Sequence, residues 1–299
     1  MKKHLLSVAA VAATLLFASC KGGEAVDLKL NLQPGSQYLY IMDTKMAMEQ
    51  SAMGQTMKTD NDMVMESTYA VGNSEGGNQR ITVTYDRIAM SLRNPMANMA
   101  YDSRDAKSGD SALRNMGAIL NRPFSMVVNR QGEILKVEGL SEIINSLGDS
   151  TQAGKEIRKQ LSSTFNDSAI KSMMQQSLNI FPDHPVRTGE SWKKSYNMNM
   201  SIMNMKIDNE FKLASVSNGV AHLNVNAKIS GGGAMSGEEM KNMQISLAGD
   251  QTGTMDVDVA TGMVIDSKLK QNIKGDISMM GMKIPLTMTQ DIHITARKK

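Results

Sequence analysis

Apart from methionine, the side chains of this sequence that could do chemistry are few and scattered. Beyond the first twenty residues the histidines are His184, His222 and His293, and the single cysteine is Cys20. Thiol catalysis and the common Cys/His zinc sites therefore lack their parts. His293 lies two residues from Asp291, and the local alternation puts both on the wet side of a strand, where they read as a solvated pair. His184 sits between Pro182 and Pro185 in a connection, and His222 falls on the polar side of the run 220–229. Neither has a motif around it. The carboxylate pairs Asp256/Asp258 and Glu238/Glu239 belong to no Ca²⁺ loop of the EF-hand type. Gly231-Gly232-Gly233 lacks the Gly-Lys-Ser/Thr ending of a phosphate loop and reads as a flexible turn. No catalytic residue, metal site or cofactor is assigned, and the chain does not read as an enzyme.

Methionine is the exception, with 28 of 299 residues, several times the ordinary share. Pairs two residues apart recur as Met46/Met48, Met63/Met65, Met198/Met200, Met203/Met205 and Met280/Met282, so their thioethers project together from strand faces. Soft thioethers hold Cu(I) when several meet at one point. These pairs are spread over strands that also carry Ile, Leu and Tyr, so core packing is the first reading. Cu(I) handling, which joint replacement of Met46, Met48, Met63 and Met65 would abolish, is the lesser alternative. A Met-lined interior also adapts to irregular apolar ligands.

The elements that place these residues are mostly strands. Tyr38, Tyr40, Met42, Thr44, Met46 and Met48 alternate with Asp43, Lys45 and Glu49, one apolar face against one wet face. Met57, Met63, Met65 and Tyr69 do the same against Lys58, Asp60, Asp62 and Glu66, and so do Met282 to Ile294 near the C-terminus. The parity switches between Tyr85 and Ile88 and between Ile202 and Met203, which predicts a bulge at each place. Helices are expected only in the middle. Asp167 reads as the cap of a helix through Ile170, Met173, Met174 and Leu178, Ser141 precedes another, and Ile157, Leu161 and Phe165 mark a third. A shorter helix is expected over 112–120.

The two flanks of this helical block look alike. Met57-Lys58-Thr59-Asp60-Asn61-Asp62-Met63 lies beside Met205-Lys206-Ile207-Asp208-Asn209-Glu210-Phe211, each followed by a Gly-Asn or Asn-Gly turn. Residues 124–137 parallel 254–268, with turns at Asn129-Arg130-Gln131-Gly132 and Ala260-Thr261-Gly262. The expected fold is mainly β (α+β), with long curved antiparallel sheets from two related halves, 28–140 and 186–299. A helical insertion at 141–185, its helices within 141–180, plugs the open side of the sheet.

Composition sets the class. With 33 Lys+Arg against 30 Asp+Glu and 41% hydrophobic residues, the chain is neither a basic nucleic-acid binder nor disordered, and it lacks the long apolar runs of a multi-span membrane protein. Its address is written at the N-terminus. Lys2 and Lys3 precede an apolar run from Leu5 to Phe17 and then Ala18-Ser19-Cys20, the layout of a secretory signal peptide. That layout resembles the lipobox of bacterial lipoproteins, with Phe17 where Leu is usual and Leu16 one place earlier. The resemblance implies a signal peptide over 1–19, acylation (palmitate) at Cys20 and a tether over 20–27. Removing Lys2 and Lys3 leaves 31 basic against 30 acidic residues. Attachment to the membrane would therefore rest on the lipid. Lys21 follows Cys20 where an Asp would signal retention at the inner membrane, which favours the outer membrane.

The segments Leu28-Lys29-Leu30-Asn31-Leu32-Gln33-Pro34-Gly35, Thr82 to Ile88, Gly189-Glu190-Ser191-Trp192 and the Thr261-Gly262 hairpin, with the Met-rich strands, resemble uncharacterised lipoproteins of Bacteroidota. More remotely, curved strands plugged by helices are similar to the half-barrels of lipid-binding envelope lipoproteins. The first resemblance implies no activity, and the second is an analogy of fold. The expected role is a non-enzymatic envelope lipoprotein whose Met-lined concavity binds a lipid, another apolar ligand or an envelope protein. A purely structural scaffold is the alternative.

Overall fold

The computed structural model describes residues 24–52, 54–105, 109, 115–147, 155, 158–159, 162, 166–200, 203–234, 243–279 and 282–299. The fold is mainly β. In chain order the strands are β1 (Gln37–Ala52), β2 (Gln55–Glu75), β3 (Asn78–Asn94), β4 (Ala97–Asp102), β5 (Phe124–Val128) and β6 (Ile134–Glu138). Helices α1 (Leu140–Asn145) and α2 (Asp167–Leu178) follow, and then β7 (Ser191–Met200), β8 (Met203–Ser217), β9 (Val220–Ala234), β10 (Met243–Asp258), β11 (Val264–Met279) and β12 (Met282–Lys298). All pair antiparallel in one 12-stranded sheet of order β6-β5-β3-β2-β1-β12-β11-β10-β9-β8-β7, with β4 beside the far end of β3.

The halves meet where the first strand pairs with the last. Tyr38 faces Lys298 and Gln50 faces Leu286, so β1 and β12 join them into a single sheet. The chain then has to cross from edge strand β6 to the opposite edge strand β7, and the helical block makes that crossing. Helix α2 packs against both β6 and β7, so it bridges the seam that the sheet leaves open. Its burial explains its place: Ile170, Met174 and Leu178 recur at helical spacing and are all buried.

Strand alternation is realised as read. On β8 to β10 the buried set is Met205, Ile207, Phe211, Leu213, Leu223, Val225, Ile229, Leu247 and Met255, while Lys206, Glu210, Asn224, Asn226, Lys228 and Asp250 face out. The inner face holds two apolar clusters. One contains Tyr69, Tyr85, Phe124, Phe181, Trp192 and Phe211 with the helices, and the other contains Tyr196, Met205, Ile207, Ile229, Leu247 and Leu286 at the far end of the strands. A rung of amides separates them. Asn209, Gln251 and Gln271 are buried, with the Gln271 amide donating to Gln251 at 2.8 Å and the Gln251 amide donating to Asn209 at 3.3 Å. Each such bond is worth about 1 kcal/mol net, and a single amide left alone there would cost more than that.

An N-terminal crosspiece ties the two halves together. Leu28, Leu30 and Leu32 are all buried, while the Leu30 N–H donates to Arg130 O in one half and the Asn31 N–H donates to Thr261 O in the other. The Gln79 side chain clasps Leu32 through both backbone groups. Val26, within the stretch 20–27 expected to be tether, pairs with Val186.

Several local expectations are corrected. The bulge in β3 is present, because Glu66 faces Arg87 while Ser67 faces Tyr85, which leaves Asp86 extra. The parity switch at Ile202/Met203 is a chain reversal instead, since Met200 faces Met203 across the β7–β8 hairpin. Gly72-Asn73 lies inside β2 at a register slip, and the turn falls at Gly76-Gly77 (φ 59° and 83°). Like Asn218-Gly219, that pair supplies the two positive φ angles a two-residue hairpin needs. Gly231-Gly232-Gly233 is strand, not turn. A Cβ on Gly231 would lie 2.9 Å from Met205 Cγ, and one on Gly232 would lie 2.8 Å from Ile245 O, so these glycines let β8 and β10 close in on β9. Asn166, not Asp167, caps α2 by accepting from the Ala169 N–H at 2.9 Å. Ser141 lies within α1, which begins after Gly139 with no side-chain cap. The described part of 112–120 is a 3-10 turn, Asn115–Ile119. Ile157, Leu161 and Phe165, like Glu238/Glu239, lie outside the described residues.

Candidate functional site

The outer face of the sheet carries His222 and His293. His222 on β9 faces Asp256 on β10, and its Nδ1 lies 2.7 Å from Asp256 Oδ1, while its Nε2 lies 2.9 Å from Ser217 Oγ at the end of β8. The connectivity is that of a nucleophile, base and orienting carboxylate. Its setting is a different matter. His222 and Asp256 are each about one third exposed, and Ser217 is exposed. Neither of the two large grooves on this face includes any of the three. Sequence reading missed the array because Asp256 is 34 residues from His222. The turn at Asn218-Gly219 fixes the β8–β9 register, and that register was the signal available for the Ser217–His222 half.

His293 does not pair with Asp291. Its Nε2 lies 2.9 Å from Asp266 Oδ2 on β11, while Asp291 faces Lys45 and Lys270 on the neighbouring strands. Asp256 and Asp258 also part ways, since the Asp258 carboxylate accepts from the Thr261 N–H and closes the β10–β11 turn. His184 is exposed in the connection before β7. Among the described residues no group of three or more His, Cys, Asp or Glu is placed to hold a metal.

The carboxylates with large shifts are structural. Asp102 is held down to about 2 by Arg87, which reaches it at 2.7 Å and Glu66 at 2.9 Å. Glu138 is held to about 2 by Lys136 and Arg80. Both sit in ion pairs at the sheet surface with no cleft beside them, the bland origin of a shifted pKa.

Two open grooves lie on the polar face, of about 730 Å³ beside Lys228 and Asp250 and about 540 Å³ beside Lys270 and Asp291. Their charges are already matched across strands. Lys228 bonds Asp250 at 2.5 Å, and Lys270, Asp291, Lys45 and Asp62 follow one another along one rung. A ladder of alternating sign gives no net field to select a charged ligand, and it suits a solvated exterior.

The interior was expected to be a Met-lined concavity. A cavity on the inner side has a volume of about 20 Å³ and lies between β1, β2, β3 and α2, against Tyr40, Ser67, Tyr69 and four methionines. Burial pushes the Tyr40 phenol up to about 12 and raises those of Tyr69 and Tyr85. Of the strand methionines singled out by spacing, Met65 reaches this cavity, while Met46, Met48 and Met63 lie half-buried along the same inner face. Met198 and Met205 pack with the far cluster. The side chains of Met200 and Met203 and all of Met280 lie outside what is described, as does Cys20. Among the described residues no helix is long and apolar enough to cross a membrane.

A single antiparallel sheet with an apolar inner face and charge pairs across its outer strands defines a β-sheet protein. The chain belongs to a family of unknown function (DUF6263), whose model matches residues 76–264, from the β2–β3 turn to the start of β11. No curated protein sequence matches it. Among solved structures, Pseudomonas aeruginosa OccK5 (OpdH) is 7% identical with a TM-score of 0.23, covering 90% of this chain and 99% of that one. The COG4313 outer membrane channel from Pseudomonas putida F1 is 6% identical with a TM-score of 0.20, covering 91% and 98%. A DUF1329 family protein from Desulfovibrio piger ATCC 29098 is 7% identical with a TM-score of 0.16, covering 85% and 84%. Likenesses this slight carry no inference about what this chain does.

Proposed function

We propose that this protein is a non-enzymatic envelope lipoprotein with a structural or scaffold role, held at the outer membrane by acyl chains on Cys20. The observation that carries the scaffold over the carrier is the small size of the cavity beneath α2, about 20 Å³. Sites for small organic ligands run to roughly 300–1,000 Å³. An acyl chain has no room there. The six residue-to-residue steps from Cys20 to Val26 reach about 20 Å at most, so the sheet sits close to the bilayer. The halves 28–140 and 186–299 are read as related units. The support is that the Asn129 to Gly132 and Ala260 to Gly262 turns meet the same N-terminal crosspiece.

The test is the lipid content of the detergent-purified full chain. Organic extraction followed by mass spectrometry is expected to yield no lipid held non-covalently at one per chain. A stoichiometric lipid would overturn the scaffold role and restore apolar carriage, which the half-buried Met46, Met48 and Met63 favour as a second reading. The absence of catalysis is tested at Ser217. A fluorophosphonate probe is expected to leave the protein unlabelled, because a hydroxyl on an open sheet face lacks a water-excluded pocket in which an oxyanion would be stabilised. Labelling that disappears in Ser217→Ala would convert the Ser217–His222–Asp256 array into an active site.

A further inference from the structure

The small cavity beneath α2 collects the one soft chemistry this chain has in abundance. Met42 on β1 and Met65 on β2 face each other in register, which sets their Cβ atoms about 5 Å apart on one side of the sheet. Met173 and Met174 come down from α2 onto the same space. Four methionines from three elements, far apart in sequence, thus line a volume of about 20 Å³. That is room for one water or one monatomic ion and for nothing organic.

We propose that Met42, Met65, Met173 and Met174 form a thioether site for a soft monovalent metal ion of the Cu(I)/Ag(I) class. The donor set makes the selection. No carboxylate, imidazole or thiolate lines the cavity, so a hard divalent cation would lose its hydration shell without a charged ligand in return, whereas thioether sulfur suits a soft d¹⁰ ion. The Tyr69 hydroxyl donates to Met174 Sδ at 3.0 Å, an outer contact that orients this sulfur and leaves it a second lone pair. Tyr85, which also lines the cavity, has a buried hydroxyl with no hydrogen-bond partner among the described residues. That is a polar atom awaiting an occupant. Met42 and Met173 are half-buried while Met65 and Met174 are buried, so the first pair offers an ion its way in. Spacing within strands could not reveal this site, because two of its members come from a helix and the other two pair across strands.

Ag(I) is the probe, since it does not change oxidation state. Titrated into the detergent-solubilised full chain carrying methyl-¹³C methionine, one equivalent is expected to shift four methyl resonances together, assigned by single Met→Leu variants. The double variant Met65→Leu/Met174→Leu, nearly isosteric and checked for folding by circular dichroism, is expected to bind Ag(I) at least tenfold more weakly. Met46→Leu/Met48→Leu should bind like the wild type. Because thioethers do not take up protons, affinity should be flat from about pH 5 to pH 8, unlike that of a His or Cys site. Unshifted methyl resonances at one equivalent would mean that water alone fills the cavity and would overturn the proposal. Equal binding by both double variants would overturn it too, assigning the metal to the scattered strand pairs. Neither result bears on the lipid measurement, so this site and the scaffold role fail independently.

Discussion

Gly132→Ala is expected to destabilise the fold by roughly 3 kcal/mol, because backbone strain and a steric clash act together at one atom. Gly132 closes the β5–β6 turn with φ 77° and donates its N–H to Asn129 O at 3.0 Å. An alanine forced into that left-handed region costs about 1 kcal/mol by itself. The clash costs more. The added Cβ would lie 1.7 Å from Leu178 O and 2.6 Å from Leu178 C, backbone atoms at the last turn of α2. That turn has little freedom to retreat, because the Trp192 indole N–H holds Ile180 O at 2.7 Å and Phe181 is fully buried behind it. The helix that bridges edge strands β6 and β7 would be pushed off its seat. Gly219→Ala is the control, with φ 76° and nothing within 4 Å of its Cβ. Chemical denaturation should therefore show a loss of about 1 kcal/mol at Gly219 and about three times that at Gly132. Equal losses at the two positions would mean that α2 is free to shift and that it does not hold the seam.

What the sequence disclosed and what it hid follow from the range of the interactions involved. The strands were legible because alternation is a property of neighbours. Tyr38, Tyr40 and Thr44 are buried where the pattern put them, and the parity switch at Asp86 is the bulge it looked like. The same local rule misled at Ile202/Met203, because a reversal of the chain and a bulge both shift parity and only pairing tells them apart. Gly231-Gly232-Gly233 looked like a turn because glycine usually marks one. Here it answers to the approach of two neighbouring strands, which no local window contains. The amide rung of Asn209, Gln251 and Gln271 was invisible for a similar reason. Each residue alone breaks an apolar face, and only the register of four strands, β8 to β11, turns the defects into one hydrogen-bonded layer. The site chemistry was less legible still. The Ser217–His222–Asp256 array and the Met42–Met65 pair are both cross-strand facts, and spacing along one strand pointed to Met46, Met48, Met63 and Met65, of which Met65 alone reaches the cavity.

Cys20→Ser is expected to abolish acylation altogether, read as the loss of all label in cells given radioactive palmitate. The expectation rests on the sequence from Lys2 to Cys20, in which the apolar run Leu5 to Phe17 ends in small residues before the cysteine. At 13 residues that run is short of the roughly 17–25 needed to span. Uncleaved leader could nonetheless hold the serine variant at a membrane, so release needs its own variant. A chain whose residues 1–20 are replaced by an ordinary cleavable secretory leader should pass from the membrane pellet to the soluble envelope fraction entirely. The physics behind this is that the acyl chains are expected to be the anchor. Counted from Cys20, 31 basic residues offset 30 acidic ones, so anionic headgroups have little to attract. The described residues contain no helix able to cross a bilayer, and the exterior of the sheet is a ladder of matched charges. Each buried methylene of an acyl chain is worth about 0.8 kcal/mol, and two or more chains give an attachment that one does not. Removing them is therefore expected to remove nearly all of the membrane affinity. If the leader-swapped chain stays in the pellet, the anchor is not the acyl group. The half-buried methionines of the inner face, Met46, Met48 and Met63, would then be the first surface to examine for contact with lipid.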